Sequence, residues 1–120
     1  MIDIINYTPK SSCIELIQKF YSLNTLEYEI YEKFWKYKEI DVNYIVNLLE
    51  NRERTFINRS LKRLLHHGLI NREKKSQKGK RGFYYIYKLT SLEIIKEKMR
   101  LELDDFYSST KNQISQIPQL

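Results

Sequence analysis

A mainly helical α+β domain carrying one small β-hairpin is the fold class this sequence predicts, and three observations carry it. Apolar residues recur at the three- and four-residue spacing of amphipathic helices along most of the chain. Short polar residues able to cap a helix start precede several of these stretches. Only three glycines and two prolines occur in 120 residues, too few for a turn-rich β protein. Two of those glycines fall in one polar loop, Lys74 to Gly82, followed by an aromatic and β-branched run from Phe83 to Thr90.

Taken in order, Ser11 to Tyr21 reads as a first helix, with Cys13, Ile14, Ile17 and Phe20 or Tyr21 inward. Asn24-Thr25-Leu26-Glu27 has the form of a capping box, a short polar cap followed three residues later by Glu. It opens a second helix to about Lys38, with Leu26, Ile30, Phe34 and Tyr37 on one face and Tyr31 and Trp35 broadening it. Asp41 caps a third, short helix that buries Val42, Ile45, Val46 and Leu49. After the turn Glu50 to Glu53 comes a fourth helix from Arg54 to His67, capped by Thr55, with Ile57, Leu61, Leu64 and Leu65 inward. Its other faces hold Asn58, Arg59, Lys62, Arg63 and His66 and no carboxylate. Gly68 ends it, because glycine enters the left-handed cap conformation without a steric penalty.

Leu69 to Glu73 then reads as a strand, Lys74 to Gly82 as a hairpin tip, and Phe83 to Thr90 as the returning strand, its tyrosines serving as core and sheet residues. Thr90-Ser91-Leu92-Glu93 has the form of a second capping box, opening a last helix to about Ser109. Two short helices joined by a tight turn, followed by such a hairpin, make a winged helix-turn-helix. The expected layout is a single domain, 1–120, made of an N-terminal helix (11–22), a core (23–90) and a C-terminal helix (91–117). Ile14 and Ile17 on the first helix, with Leu92, Ile95, Met99, Leu103 and Phe106 on the last, form stripes suited to joining two copies.

Charge placement points to the partner. Of the formal net charge of +6, the stretch Arg52–Arg81 alone carries +9, from eleven Lys or Arg and two Glu, so the rest of the chain is net negative. Such a concentration is the footprint of a surface that meets a polyanion. Arg52, Arg54, Arg63 and Lys75 belong to it. Arg59 and Asn58 project from the outer face of the fourth helix, where side chains reach base edges, while Lys78, Lys80 and Arg81 at the hairpin tip suit phosphates or a minor-groove edge. The rival reading is a winged helix used as a protein–protein module in a larger assembly, a role that gives the hairpin no reason to gather charge.

Other chemistries find less support. No nucleophile–base pair or glycine-rich phosphate loop is present, so no enzyme and no cofactor are expected. Adjacent histidines on a helix point about 100° apart, so His66 and His67 suit a helix-end surface or a phosphate contact better than a metal, and no metal site is expected. Cys13 reads as a small core residue, with a redox-sensing thiolate in the first helical turn as the alternative. One cysteine, no leader-like N-terminus and no membrane-length apolar run point to a reducing cytoplasm and no membrane partner. No exposed aromatic platform for RNA shows in the pattern.

Ile57-Asn58-Arg59-Ser60-Leu61-Lys62-Arg63-Leu64-Leu65-His66-His67-Gly68-Leu69-Ile70 resembles the recognition helix and following turn of MarR-like winged-helix repressors. Leu23 to Tyr31 resembles the opening of archaeal TrmB-like regulators, and Tyr87-Lys88-Leu89-Thr90 resembles the end of the wing in both. The resemblance implies a homodimeric transcription regulator on double-stranded DNA, paired through terminal helices. It implies DNA-facing roles for Thr55, Asn58, Arg59 and Lys62, and for Lys78, Lys80 and Arg81 in the wing. Abundant Lys, Asn and Ile fits an AT-rich, archaeal-like genome. The length leaves room for one helix after the wing, so a small-molecule effector has no support in the sequence.

Overall fold

The computed structural model describes residues 9–50, 52–76, 79 and 82–119, with side chains from Cys13 onward. Two compact units divide the chain, one ending at Leu89 and one beginning at Thr90. The first holds α1 (Pro9–Tyr21), α2 (Thr25–Tyr37), β1 (Glu39–Asp41), α3 (Val42–Leu48), α4 (Arg54–His66), β2 (Ile70–Ser76) and β3 (Phe83–Leu89). The second is built on α5 (Leu92–Ser115). This is the expected α+β winged helix, with one strand more than the sequence suggested.

Helix α1 starts at Pro9, ahead of the expected Ser11, and proline suits that position because a first-turn N–H has no helical partner to lose. Ile14, Ile17 and Tyr21 form its buried stripe. Cys13 is exposed, not inward, since it stands one residue, about 100°, off that stripe. Ser22 ends the helix at φ +53. Its N–H donates to the Lys19 carbonyl at 3.3 Å and that of Leu23 to Gln18 at 2.9 Å, the paired bonds of a Schellman end made without glycine.

Both halves of the first capping box form. Asn24 Oδ1 accepts from the Glu27 N–H at 2.8 Å, and Glu27 Oε1 accepts from the Asn24 N–H at 2.9 Å. Helix α2 buries Ile30, Tyr31, Phe34 and Trp35, whereas Tyr37, expected inward, is exposed and sets its ring edge-on to Tyr44. Burial pushes the Tyr31 phenol up to about 12. Lys38, at φ +69, turns the chain into β1, which the sequence reading missed. The sheet order is β1-β3-β2, all antiparallel, with Ile40 and Arg72 flanking Tyr87. Asp41 caps α3 by accepting from the Tyr44 N–H at 2.8 Å, and Ile45 is the fully buried residue of that helix.

Helix α4 has Glu53 at its cap position with no side-chain bond, so Thr55 lies inside the first turn rather than capping it. Ile57, Leu61 and Leu64 are buried with Leu69 and Ile70 beyond the turn. Gly68, at φ +75, closes the helix, its N–H on the Leu65 carbonyl at 2.9 Å and that of Leu69 on Leu64 at 3.1 Å. Strand β2 extends through Ser76, so Lys74 and Lys75 sit in the ladder and not in the tip. Helix α5 follows Ser91, whose side chain makes no cap bond, and the second capping box does not form. It runs to Ser115, past the expected Ser109, about 36 Å in all.

Candidate nucleic-acid interface

The site is built on the outward side of α4. With Ile57, Ser60, Leu61 and Leu64 buried, helical geometry sends Thr55, Arg59, Lys62 and His66 away from the core, and all four are exposed or half-exposed. Arg54 and Asn58 lie on one flank, over a groove of about 580 Å³ also lined by Asp41, Asn43, Tyr84 and Tyr85. Arg54 Nη2 donates to Asn43 Oδ1 at 3.0 Å, tying the first turn of α4 to α3. On the other flank stand Phe56 and Arg63.

The basic residues are not equivalent. Arg63 Nε lies 2.8 Å from Glu27 Oε2, a carboxylate that is itself wholly buried. The contact is ionic rather than a well-aligned hydrogen bond, since no donor N–H points at Oε2. Glu27 thus caps α2 with one oxygen and anchors α4 with the other, and Arg63 serves the fold before it serves any ligand. Arg52 stands 3.7 Å from Glu29, a surface pair of small energetic weight. Lys75 shares Glu73 with Lys88, at 2.9 and 2.8 Å. Those bonds, the one from Lys88 foremost, hold the Glu73 carboxyl down to about 2. Arg59 and Lys62 have no carboxylate partner among the described residues, which leaves their charge free for a ligand.

The hairpin adds aromatic surface. Phe83 is 50% and Tyr84 42% exposed, so the strand is not merely core and sheet as the sequence suggested. Lys74 Nζ sits 3.6 Å from the Phe83 ring centre and the Arg72 guanidinium 4.2 Å from that of Tyr85. These contacts place two cations against aromatic rings of the hairpin. Lys78, Lys80 and Arg81 lie outside the described residues, while Gly79 and Gly82 at the tip have φ of +73 and +109.

The remaining sequence candidates separate by burial. Ile14, Ile17 and Ile95 are buried in a single copy and Met99 is half-buried, whereas Leu92, Leu103 and Phe106 are exposed. His67 packs its ring 5.0 Å from Tyr21 and 5.8 Å from His66. No cluster of potential metal ligands occurs among the described residues. The sequence reading passed over Phe56, although a large apolar residue 100° off the Ile57 stripe was signal enough.

Comparison with known proteins gives this surface a context. The family model of the penicillinase repressor matches residues 23–119. The Methanocaldococcus jannaschii protein MJ1082 is 30% identical over 108 residues, 90% of this chain and 88% of that protein. A possible transcriptional regulator from Methanosarcina mazei Go1 superposes over 99% of this chain and 98% of its own, with a TM-score of 0.72 at 19% identity. A structure assigned to the MarR family of transcriptional regulators, from Enterococcus faecalis V583, covers 97% and 100%, with a TM-score of 0.53 at 11% identity. At those identities the likeness is one of fold. No described helix is long and apolar enough to cross a membrane.

Proposed function

The chain belongs to the penicillinase repressor family, and from that premise we propose that it regulates transcription as a homodimer bound to a specific double-stranded DNA site. In this reading α4 lies in the major groove and the hairpin follows the adjacent backbone or minor groove. The observation that carries it is the outward face of α4, exposed, free of carboxylates, with Arg59 and Lys62 unpaired by any acid among the described residues. A helix of that width and charge suits the major groove, where each base pair shows a distinct donor and acceptor pattern. Thr55 shares that face, Arg52, Arg54 and Asn58 border it, and Lys75, Lys78, Lys80 and Arg81 extend the charge along the hairpin. Arg63 joins them only in part, since Glu27 already holds its Nε.

Dimerisation is supported by α5. Leu103, Phe106, Tyr107 and Ile114 recur at helical spacing and are 55–68% exposed in the single chain, a stripe that a second copy would cover. The contact set proposed for the partner is therefore Leu103 and Phe106 first, with Leu92 and Met99 beside them. Ile14, Ile17 and Ile95 are already buried in the single chain and are not part of that contact set. The exposed Cys13 carries no further indication of redox sensing, and the reading assigns it no role.

Titrating a labelled duplex by fluorescence anisotropy over a salt series tests the proposal. Affinity should fall steeply with salt, each neutralised phosphate adding about 0.9 to the log–log slope. Binding that ignores both salt and sequence would favour the protein–protein module instead.

A further inference from the structure

We propose that Phe56 is a base-reading residue, packing its ring against the 5-methyl group of a thymine next to a guanine that Arg59 contacts. The inference rests on the placement of α4 in the major groove and goes beyond it by assigning the base that this position selects.

Phe56 is 48% exposed on the first turn of α4, with Arg54 and Thr55 before it. A phenyl ring in water has no reason to stand there for the core, which Ile57 serves from the next position at 0% exposure. The N-terminal residues of a recognition helix are those that reach base edges. Among groove-exposed base features, the thymine methyl is the apolar one, and apolar side chains including Phe are its natural partners. Phe56 and Arg59 also act together. The guanidinium carbon of Arg59 sits 5.6 Å from the Phe56 ring centre, one turn along the helix. That contact narrows the rotamers a free arginine samples, and a guanidinium so restricted, with its planar fork of donors, matches guanine O6 and N7. Side chains three residues apart are neighbours on one helix face, about 5–6 Å between their Cβ atoms. The two groups therefore fall on adjacent base pairs, and the expected site holds a T·A pair beside a G·C pair. No other Phe, Tyr or Trp occurs on α4, and His66 lies at its far end, so loss of Phe56 has no apolar substitute in the first turn.

The test removes one methyl group. The full chain is used to select duplexes from a randomised pool, and the recovered duplex is resynthesised with deoxyuridine replacing thymine at one position at a time. Wild-type protein should lose about fourfold in affinity at a single position per half-site, the worth of one buried methyl-sized group. Phe56→Ala should bind the thymine and deoxyuridine duplexes equally, and Phe56→Leu, which keeps an apolar contact, should retain part of the preference. Circular dichroism of both variants checks that they remain folded, as expected for an exposed position. A recovered duplex with no required thymine beside a guanine would overturn the proposal while leaving the DNA-reading function intact. Discrimination that survives Phe56→Ala would do the same. Recovery of no preferred sequence would overturn both.

Discussion

Arg63 shows why charge on a helix surface is not by itself a contact. Its guanidinium reaches the buried Glu27 carboxylate, so removing it strands an anion inside the first unit. Arg63→Ala should lower stability by about 1–3 kcal/mol, measured by denaturant unfolding, because a buried acceptor that loses its partner costs more than the bond was worth. Arg59→Ala should do the opposite: leave stability unchanged and cost about 1–3 kcal/mol of binding on a preferred duplex. An equal loss on random DNA would make Arg59 a phosphate contact. Glu73 adds a pH signature. Its carboxyl is held at about 2 against an ordinary 4.5, so the stabilisation it gives is present above pH 4.5 and is lost as pH falls toward 2. Wild-type thermal stability should drop across that interval by more than that of Glu73→Gln, and parallel curves would show that the bridge contributes nothing. The sequence could not reveal the Arg63 pair, since its partner lies 36 positions away and is brought near only by packing.

At the scale of elements, the sequence was readable where the chemistry is local. The Asn24–Glu27 box, the Asp41 cap and the Gly68 terminus each act within a few residues, and each forms as its sequence implies. β1 escaped because three residues are too few to show a period, and its bonds go to β3 across more than forty positions. The Thr90–Glu93 box fails because the helix begins one residue later than the box requires: Ser91 is the cap residue, Ile94 stands three positions on where a Glu is needed, and the Ser91 side chain makes no cap bond. Ser22 ends α1 in a left-handed conformation that normally costs a side-chain-bearing residue about 1–2 kcal/mol. Ser22→Gly should accordingly raise the midpoint of thermal unfolding, since relief of that strain exceeds the added entropy of the unfolded chain. In the wing, replacing Lys78, Lys80 and Arg81 together by Ala should weaken binding to every duplex alike. The salt slope should flatten by about 0.9 for each phosphate that the variant no longer neutralises. An unchanged slope would remove the tip from the interface.

For the whole molecule, the open question posed by one chain is its second copy. A single recognition helix spans too few base pairs to define a site, whereas two related by a two-fold axis read half-sites about one helical turn apart. The apolar stripe along α5 was legible in its period, but which part of it a single chain leaves uncovered was not, because burial is a property of packing. Leu103→Glu with Phe106→Glu should yield a monomer by sedimentation equilibrium, and an unchanged oligomeric state would place the dimer contact elsewhere. The central claim is that this fold reads sequence. It is tested most directly by comparing wild-type affinity for a selected duplex with that for the same bases shuffled, at physiological salt. A preference of about a thousandfold or more is predicted, the range of specific over non-specific binding by DNA regulators. Equal affinity for the two duplexes would contradict it.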